Sequence, residues 1–391
     1  MSALTAAVAP DAALVDVDAL LAERSTRTVV CCGSGGVGKT TTAAALALRA
    51  AERGRRVVVL TIDPARRLAQ SLGLTELDNV PRRVALPDNG SGGSLDAMML
   101  DMKRTFDEVV EAHAEPDRAA QILANPFYQA MSSSFAGTQE YMAMEKLGQL
   151  RTRADADGTW DLIVVDTPPA RSALDFLDAP DRLGSFLDGR LMRLLVAPGK
   201  GAVRGIGKVV AAGFGIVTNV LGKILGAQVL RDIQLFVAAF DTVFGGFRER
   251  ADATYRLLQD SGTSFLVVAA PERDALREAT YFVERLATEH MPVAGLVLNR
   301  VCEVRAPLLS AEQALAAADR LDEDASHPET AALLRLHADR VTAAARQRHL
   351  AERFTAAHPK VPVVAVPMLA RDVHDLEGLR TIGAALATTA P

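Results

Sequence analysis

Eight consecutive residues near the start of the chain, Gly33-Ser34-Gly35-Gly36-Val37-Gly38-Lys39-Thr40, can act together as one chemical unit. They fit the phosphate-loop template: Gly, four residues, then Gly-Lys-Thr. Glycine lets a backbone approach a ligand closely, and the N–H groups of such a loop point inward at an anion. Lys39 would reach the β- and γ-phosphates of a triphosphate, and the Thr40 hydroxyl would bind Mg²⁺. Thr41 follows in the first helical turn, whose positive end favours phosphate. A glycine turn with no ligand is the competing reading. It places a lysine at a helix start, where a cation opposes the dipole. Two acids extend the set. Asp63 opens Asp63-Pro64-Ala65, and Asp166 opens Asp166-Thr167-Pro168-Pro169. Asp166 suits the Walker B role of holding Mg²⁺ through water. Asp63 suits orienting or deprotonating a water beside the γ-phosphate. Each Asp alone is equally at home in a turn or cap. Their joint reading requires that both lie on the same sheet edge as the glycine loop.

The surrounding sequence supplies that edge. Thr28–Cys32, Val57–Ile62, Ala97–Asp101, Leu162–Asp166, Phe265–Ala269, Val293–Leu298 and Val361–Val366 read as strands. Most are continuous apolar runs, as expected of parallel strands covered on both faces. Helical stretches alternate with them, beginning with the Ala- and Leu-rich Thr41–Arg53. The fold expected is α/β: a doubly wound, mostly parallel sheet of the P-loop NTPase class, with a helical insertion subdomain. Ligand then sits beyond the carboxyl ends of the strands.

The first 20 residues are Ala-rich and expected to be disordered, and residues 21–391 to form the P-loop domain. Helical insertions are expected at about 103–153, with a break near Asn125-Pro126, and at about 180–260; a helical hairpin is expected at about 314–353. The second insertion has a Gly-, Val- and Ala-rich middle and a stripe of Phe236, Phe240, Phe244 and Phe247 at helical spacing. That stripe either packs on the sheet or lines a groove.

Across 391 residues, a hydrophobic fraction of 49% supports a sizeable core, and a net charge of −5 argues against a large nucleic-acid footprint. Three cysteines with no Cys-x-x-Cys exclude a disulfide framework; Cys31, Cys32 and Cys302 read as small buried residues. The seven histidines show no metal-ligand spacing. No signal-peptide pattern is present, and the longest uncharged stretch in the insertion, the 14 residues Val209–Gly222, is shorter than the ~20 needed to cross a bilayer. A cytoplasmic protein without a membrane span is expected.

Taken in order, Gly35-Gly36-Val37-Gly38-Lys39-Thr40-Thr41, Thr61-Ile62-Asp63-Pro64-Ala65 and Asp166-Thr167-Pro168-Pro169 resemble the deviant-Walker P-loop ATPases, and among them the ArsA family. That family includes the arsenite-pump ATPase and the ATPase that guides tail-anchored membrane proteins. Weaker matches are Pro271-Glu272, Val297-Leu298-Asn299-Arg300, and Val366-Pro367-Met368-Leu369 before Leu376-Glu377-Gly378-Leu379. The resemblance implies an Mg²⁺-dependent ATP hydrolase that works as a dimer. It implies that Asn299 recognises adenine and that Pro367 lines the base pocket. It also implies a hydrophobic client or membrane-protein partner for the helical insertion.

Three positions depart from the family pattern. Ser34 stands where the family's second lysine follows the first loop glycine, a lysine that reaches the partner's nucleotide. Arg67 replaces a small polar residue after the first switch, and Ser172 replaces a histidine of the second. Two alternatives follow: a homodimer of low turnover, or a nucleotide-binding regulatory subunit paired with a paralogue that carries the lysine. A positioning ATPase of the ParA/MinD kind is less favoured, because Asp375–Pro391 holds one base, Arg380, rather than a basic amphipathic helix.

Overall fold

The computed structural model describes residues 9–10, 12–62, 67–126, 128–129, 132, 138–168, 247–304, 306, 308–323 and 327–387. The strands are β1 Thr28–Gly33, β2 Arg56–Thr61, β3 Arg82–Arg83, β4 Ser94–Met99, β5 Leu162–Asp166, β6 Thr263–Ala269, β7 Val293–Val301 and β8 Val363–Pro367. They form one sheet in the order β3-β4-β2-β5-β1-β6-β7-β8. Every pairing is parallel except β3 with β4 at the edge. The fold class is the α/β, mostly parallel one expected.

The helices are α1 Val17–Ala22, α2 Lys39–Glu52, α3 Arg67–Ser71, α4 Met102–His113, α5 Pro116–Leu123, α6 Thr138–Asp157, α7 Phe247–Gln259, α8 Arg273–Thr288, α9 Ala311–Glu323, α10 Pro328–Ala357 and α11 Leu376–Leu386. The chain divides into two compact units, Met1–Met99 with Arg151–Leu174 and Leu257–Pro391, and Leu100–Leu150 with Asp175–Arg256. The first unit contains the sheet. The second contains α4, α5 and most of α6 and α7, so the described part of the first insertion is helical. Of the second insertion, residues 180–246 lie outside the described residues, including Val209–Gly222 and Phe236, Phe240 and Phe244. α9 and α10 pack on each other.

β1, β5 and β6 are buried at every position because the sheet's centre is covered on both faces. On one face α2 lies against the sheet through Ala43, Ala44, Ala47 and Ala50, all fully buried. Short side chains bring the helix close. At Gly93 an added Cβ would fall 1.9 Å from the Ala51 carbonyl oxygen, so only glycine fits.

Two expectations are corrected. The third expected strand, Ala97–Asp101, is β4 at Ser94–Met99. Asp96 reads as a strand breaker, yet it is buried, accepting hydrogen bonds from Arg83 Nε at 2.8 Å and Trp160 Nε1 at 2.7 Å. Asp101 instead caps α4, its carboxylate accepting from Arg104 N at 2.9 Å. The N-terminal stretch is also ordered where it is described. Leu14 bridges to Val363, Asp16 caps α1, and Val15, Val17 and Leu21 are buried. Three apolar side chains among alanines were enough to anchor it.

Arg55 is 2% exposed and uses all five of its N–H groups. Nε donates to Asp161 Oδ1 at 2.6 Å; the others reach the carbonyls of Leu21, Glu23, Thr26 and Asp161. Burial raises the pKa of Asp161, but the Arg55 hydrogen bond and charge outweigh it and hold the carboxyl below its ordinary 3.8. Arg55→Leu should cost about 3–5 kcal/mol at neutral pH, because it strands four carbonyls and leaves Asp161 only the more exposed Arg24 and Arg56. A depressed carboxyl contributes stability above its unfolded pKa and loses it as pH falls through the folded value. The gap between wild type and variant in urea denaturation should therefore narrow as pH drops below 3.8.

Candidate nucleotide site

The loop begins where β1 ends. Gly33 pairs in register with Val268 of β6, and an added Cβ would lie 2.0 Å from the Val268 carbonyl oxygen. Gly35 and Gly36 are exposed at the loop tip. Val37 is buried in the core and fixes the loop to the body of the sheet. Gly38, at φ +95°, is the N-cap of α2, a left-handed conformation that favours glycine. Lys39 opens α2, is 7% exposed, and donates from Nζ to the Ser34 carbonyl oxygen at 2.8 Å. The cation thus arches over the loop it follows.

Strand register brings the acid to this loop. Asp166 at the end of β5 is flanked by Cys31 of β1 and Thr61 of β2. It is fully buried. Its Oδ2 accepts from Thr40 Oγ1 at 2.7 Å and from Thr61 Oγ1 at 2.8 Å. Thr167 secures the strand end, donating from both N and Oγ1 to the Cys31 carbonyl oxygen at 3.2 and 3.0 Å. Beneath the loop the thiols of Cys31 and Cys32 are buried. Burial raises Cys32 to about 12 and Cys31 well above its ordinary value, so neither is a nucleophile at neutral pH.

A cavity of about 680 Å³ runs from Gly38, Thr40 and Thr41 to Asn299, Arg300, Pro367 and Met368. Both residues assigned by resemblance to the base, Asn299 and Pro367, therefore line the same cavity as Thr40 and Thr41. Gln70, Ser71, Arg371 and His374 also line it, and the sequence pointed to none of them. Thr61 was visible only as part of a motif; its bond to Asp166 depends on β2–β5 register. Asp63, Pro169 and Ser172 lie outside the described residues, and Arg67 opens α3.

The residues present fit a polyphosphate with a divalent cation. Gly36, at φ +75°, has open space where a Cβ would stand, so the backbone at the loop tip is left bare. The Ser34 hydroxyl is buried with no hydrogen-bond partner among the described residues. Thr40 and Asp166 supply hard oxygen donors of the kind Mg²⁺ takes.

Residues 26–313 match the anion-transporting ATPase family, named for ArsA. The chain belongs to this family. Members are ATP hydrolases. Among relatives, the ATPase GET3 of Malassezia globosa is 30% identical over 168 residues, 43% of this chain and 46% of that one. The ATPase GET3 of Podospora anserina is 26% identical over 293 residues, 74% of this chain and 78% of that one. The arsenical pump-driving ATPase of Escherichia coli is 27% identical over 158 residues, 40% of this chain and 26% of that one. The chain thus spans about half the length of the Malassezia protein. Among the described residues, no helix of this ArsA-family chain is long and apolar enough to cross a membrane.

Proposed function

We propose that this chain hydrolyses ATP with Mg²⁺ as a dimeric, nucleotide-driven switch in the cytoplasm. Its helical insertion engages a hydrophobic client or a membrane-protein partner. The observation that carries the hydrolytic part is the convergence of the Thr40 and Thr61 hydroxyls on Asp166 beside the glycine loop. Lys39 and the loop N–H groups bind the phosphates. Thr40 and Asp166 hold Mg²⁺, which when bound neutralises charge developing between the β- and γ-phosphates. Asn299 and Pro367 take the adenine. Asp63 orients the attacking water. Support for the client comes from the apolar composition of residues 180–246.

A second reading rests on Ser34, which is 8% exposed and brings no cation to the loop. In that reading the chain is a regulatory subunit of low turnover, completed by a paralogue that carries the lysine. Phosphate release by the purified chain separates the two. Slow, Mg²⁺-dependent release is expected from the wild type, and Ser34→Lys should raise it at least about tenfold by restoring a cationic donor. If neither protein releases phosphate while both bind ATP, the regulatory reading replaces the first.

A further inference from the structure

β7 and β8 fall out of step beside the glycine loop. Leu298 pairs with Ala365, but the next partner of Pro367 is Val301, so β7 carries one residue more than β8 over this interval. The bulge contains Asn299 and Arg300. Arg300 has φ +62°, a left-handed backbone that side chains other than glycine adopt rarely. Its N–H donates to Asn299 Oδ1 at 2.9 Å. Because a backbone N–H can only donate, this contact fixes which end of the Asn299 amide is oxygen. The other end donates from Nδ2 to the Val37 carbonyl oxygen at 2.7 Å, in a buried contact. Asn299 is 7% exposed. An added Cβ on Gly38 would lie 2.2 Å from the same Nδ2, so the space left by that glycine is the space the amide fills.

We propose that Asn299, aimed by the bulge at Arg300, is a positioning residue that holds the phosphate loop in its binding shape through the Val37 carbonyl. This rests on reading the loop as the nucleotide site. It goes beyond base recognition, which needs only the amide edge that faces the cavity. With its carbonyl tied to Asn299, Val37 cannot rotate that oxygen into the space the anion takes. The N–H groups of the loop then face the phosphates before ligand arrives, and preformed donors bind more tightly than donors that must first be ordered. The base side and the phosphate side of the cavity become one mechanical unit.

A ligand with no base tests this. Titration calorimetry on the full chain with Mg²⁺ would use ATP and, separately, inorganic tripolyphosphate. Asn299→Ala should weaken both: tripolyphosphate by about tenfold, the worth of one buried hydrogen bond, and ATP by at least that factor, since the base contact goes with it. Weaker ATP binding with unchanged tripolyphosphate binding would overturn the proposal and leave Asn299 as a reader of the base alone. A wild-type chain that binds neither ligand would overturn the nucleotide site itself. Should Asn299→Ala fold poorly, Asn299→Asp keeps the shape and the Arg300 contact but turns a carboxylate toward the Val37 carbonyl, and a loss for both ligands is expected. Amide hydrogen exchange on the ligand-free chain gives a second readout. Exchange over residues 37–41 should quicken in either variant, and unchanged exchange there would count against the proposal.

Discussion

Replacing Lys39 with alanine is expected to lower ATP affinity on the order of 10³-fold. Lys39 is 7% exposed, and its ammonium already lies 2.8 Å from a loop carbonyl. Each charge-assisted contact it makes to phosphate contributes about 1.5–3 kcal/mol, and two such contacts give a factor of that size. The substitution should leave the free protein folded, because a lysine at the start of α2 opposes the helix dipole and alanine is a better helix former. Thermal melting without ligand should therefore be unchanged or slightly higher. The upward shift produced by ATP in the wild type should vanish. Equal ATP affinity in the two proteins would remove the loop assignment.

The two acids should separate by phenotype. Asp166→Asn is expected to lower turnover by about 10²–10³ and to move the Mg²⁺ requirement to higher concentration, because a carboxylate aimed at a cation becomes a neutral amide. Affinity for ATP without Mg²⁺ should be nearly unchanged, since Lys39 and the loop N–H groups remain. Asp63→Asn should do the opposite. Mg²⁺·ATP affinity stays within about twofold while turnover falls by about 10²–10⁴, the range for loss of a general base. Steady-state rates across a Mg²⁺ titration, with calorimetry for binding, distinguish them. An identical Mg²⁺ dependence in both variants would show that the roles have been divided wrongly.

Much of this site is legible in the sequence. β1 and β5 are central, so their runs are apolar without interruption, and the motifs at their ends mark one sheet edge. What escaped notice depended on tertiary partners. Asp96 conceals the start of β4 because its charge is satisfied by Arg83 and Trp160, and Trp160 is 64 residues distant in sequence. β3 is two arginines long and has no apolar pattern to betray it. The role of Thr61 is set by register with β5. The hold of Asn299 on Val37 joins residues 262 apart, through a bulge that no local propensity announces.

One oxygen of Asp166 serves two hydroxyls, one from the helix that follows the glycine loop and one from the strand that leads to residue 63. Each hydroxyl commits its single proton to that oxygen and keeps its lone pairs free. The Thr40 oxygen would thus be presented to a cation already oriented, while Thr61 steadies the same carboxylate from the neighbouring strand.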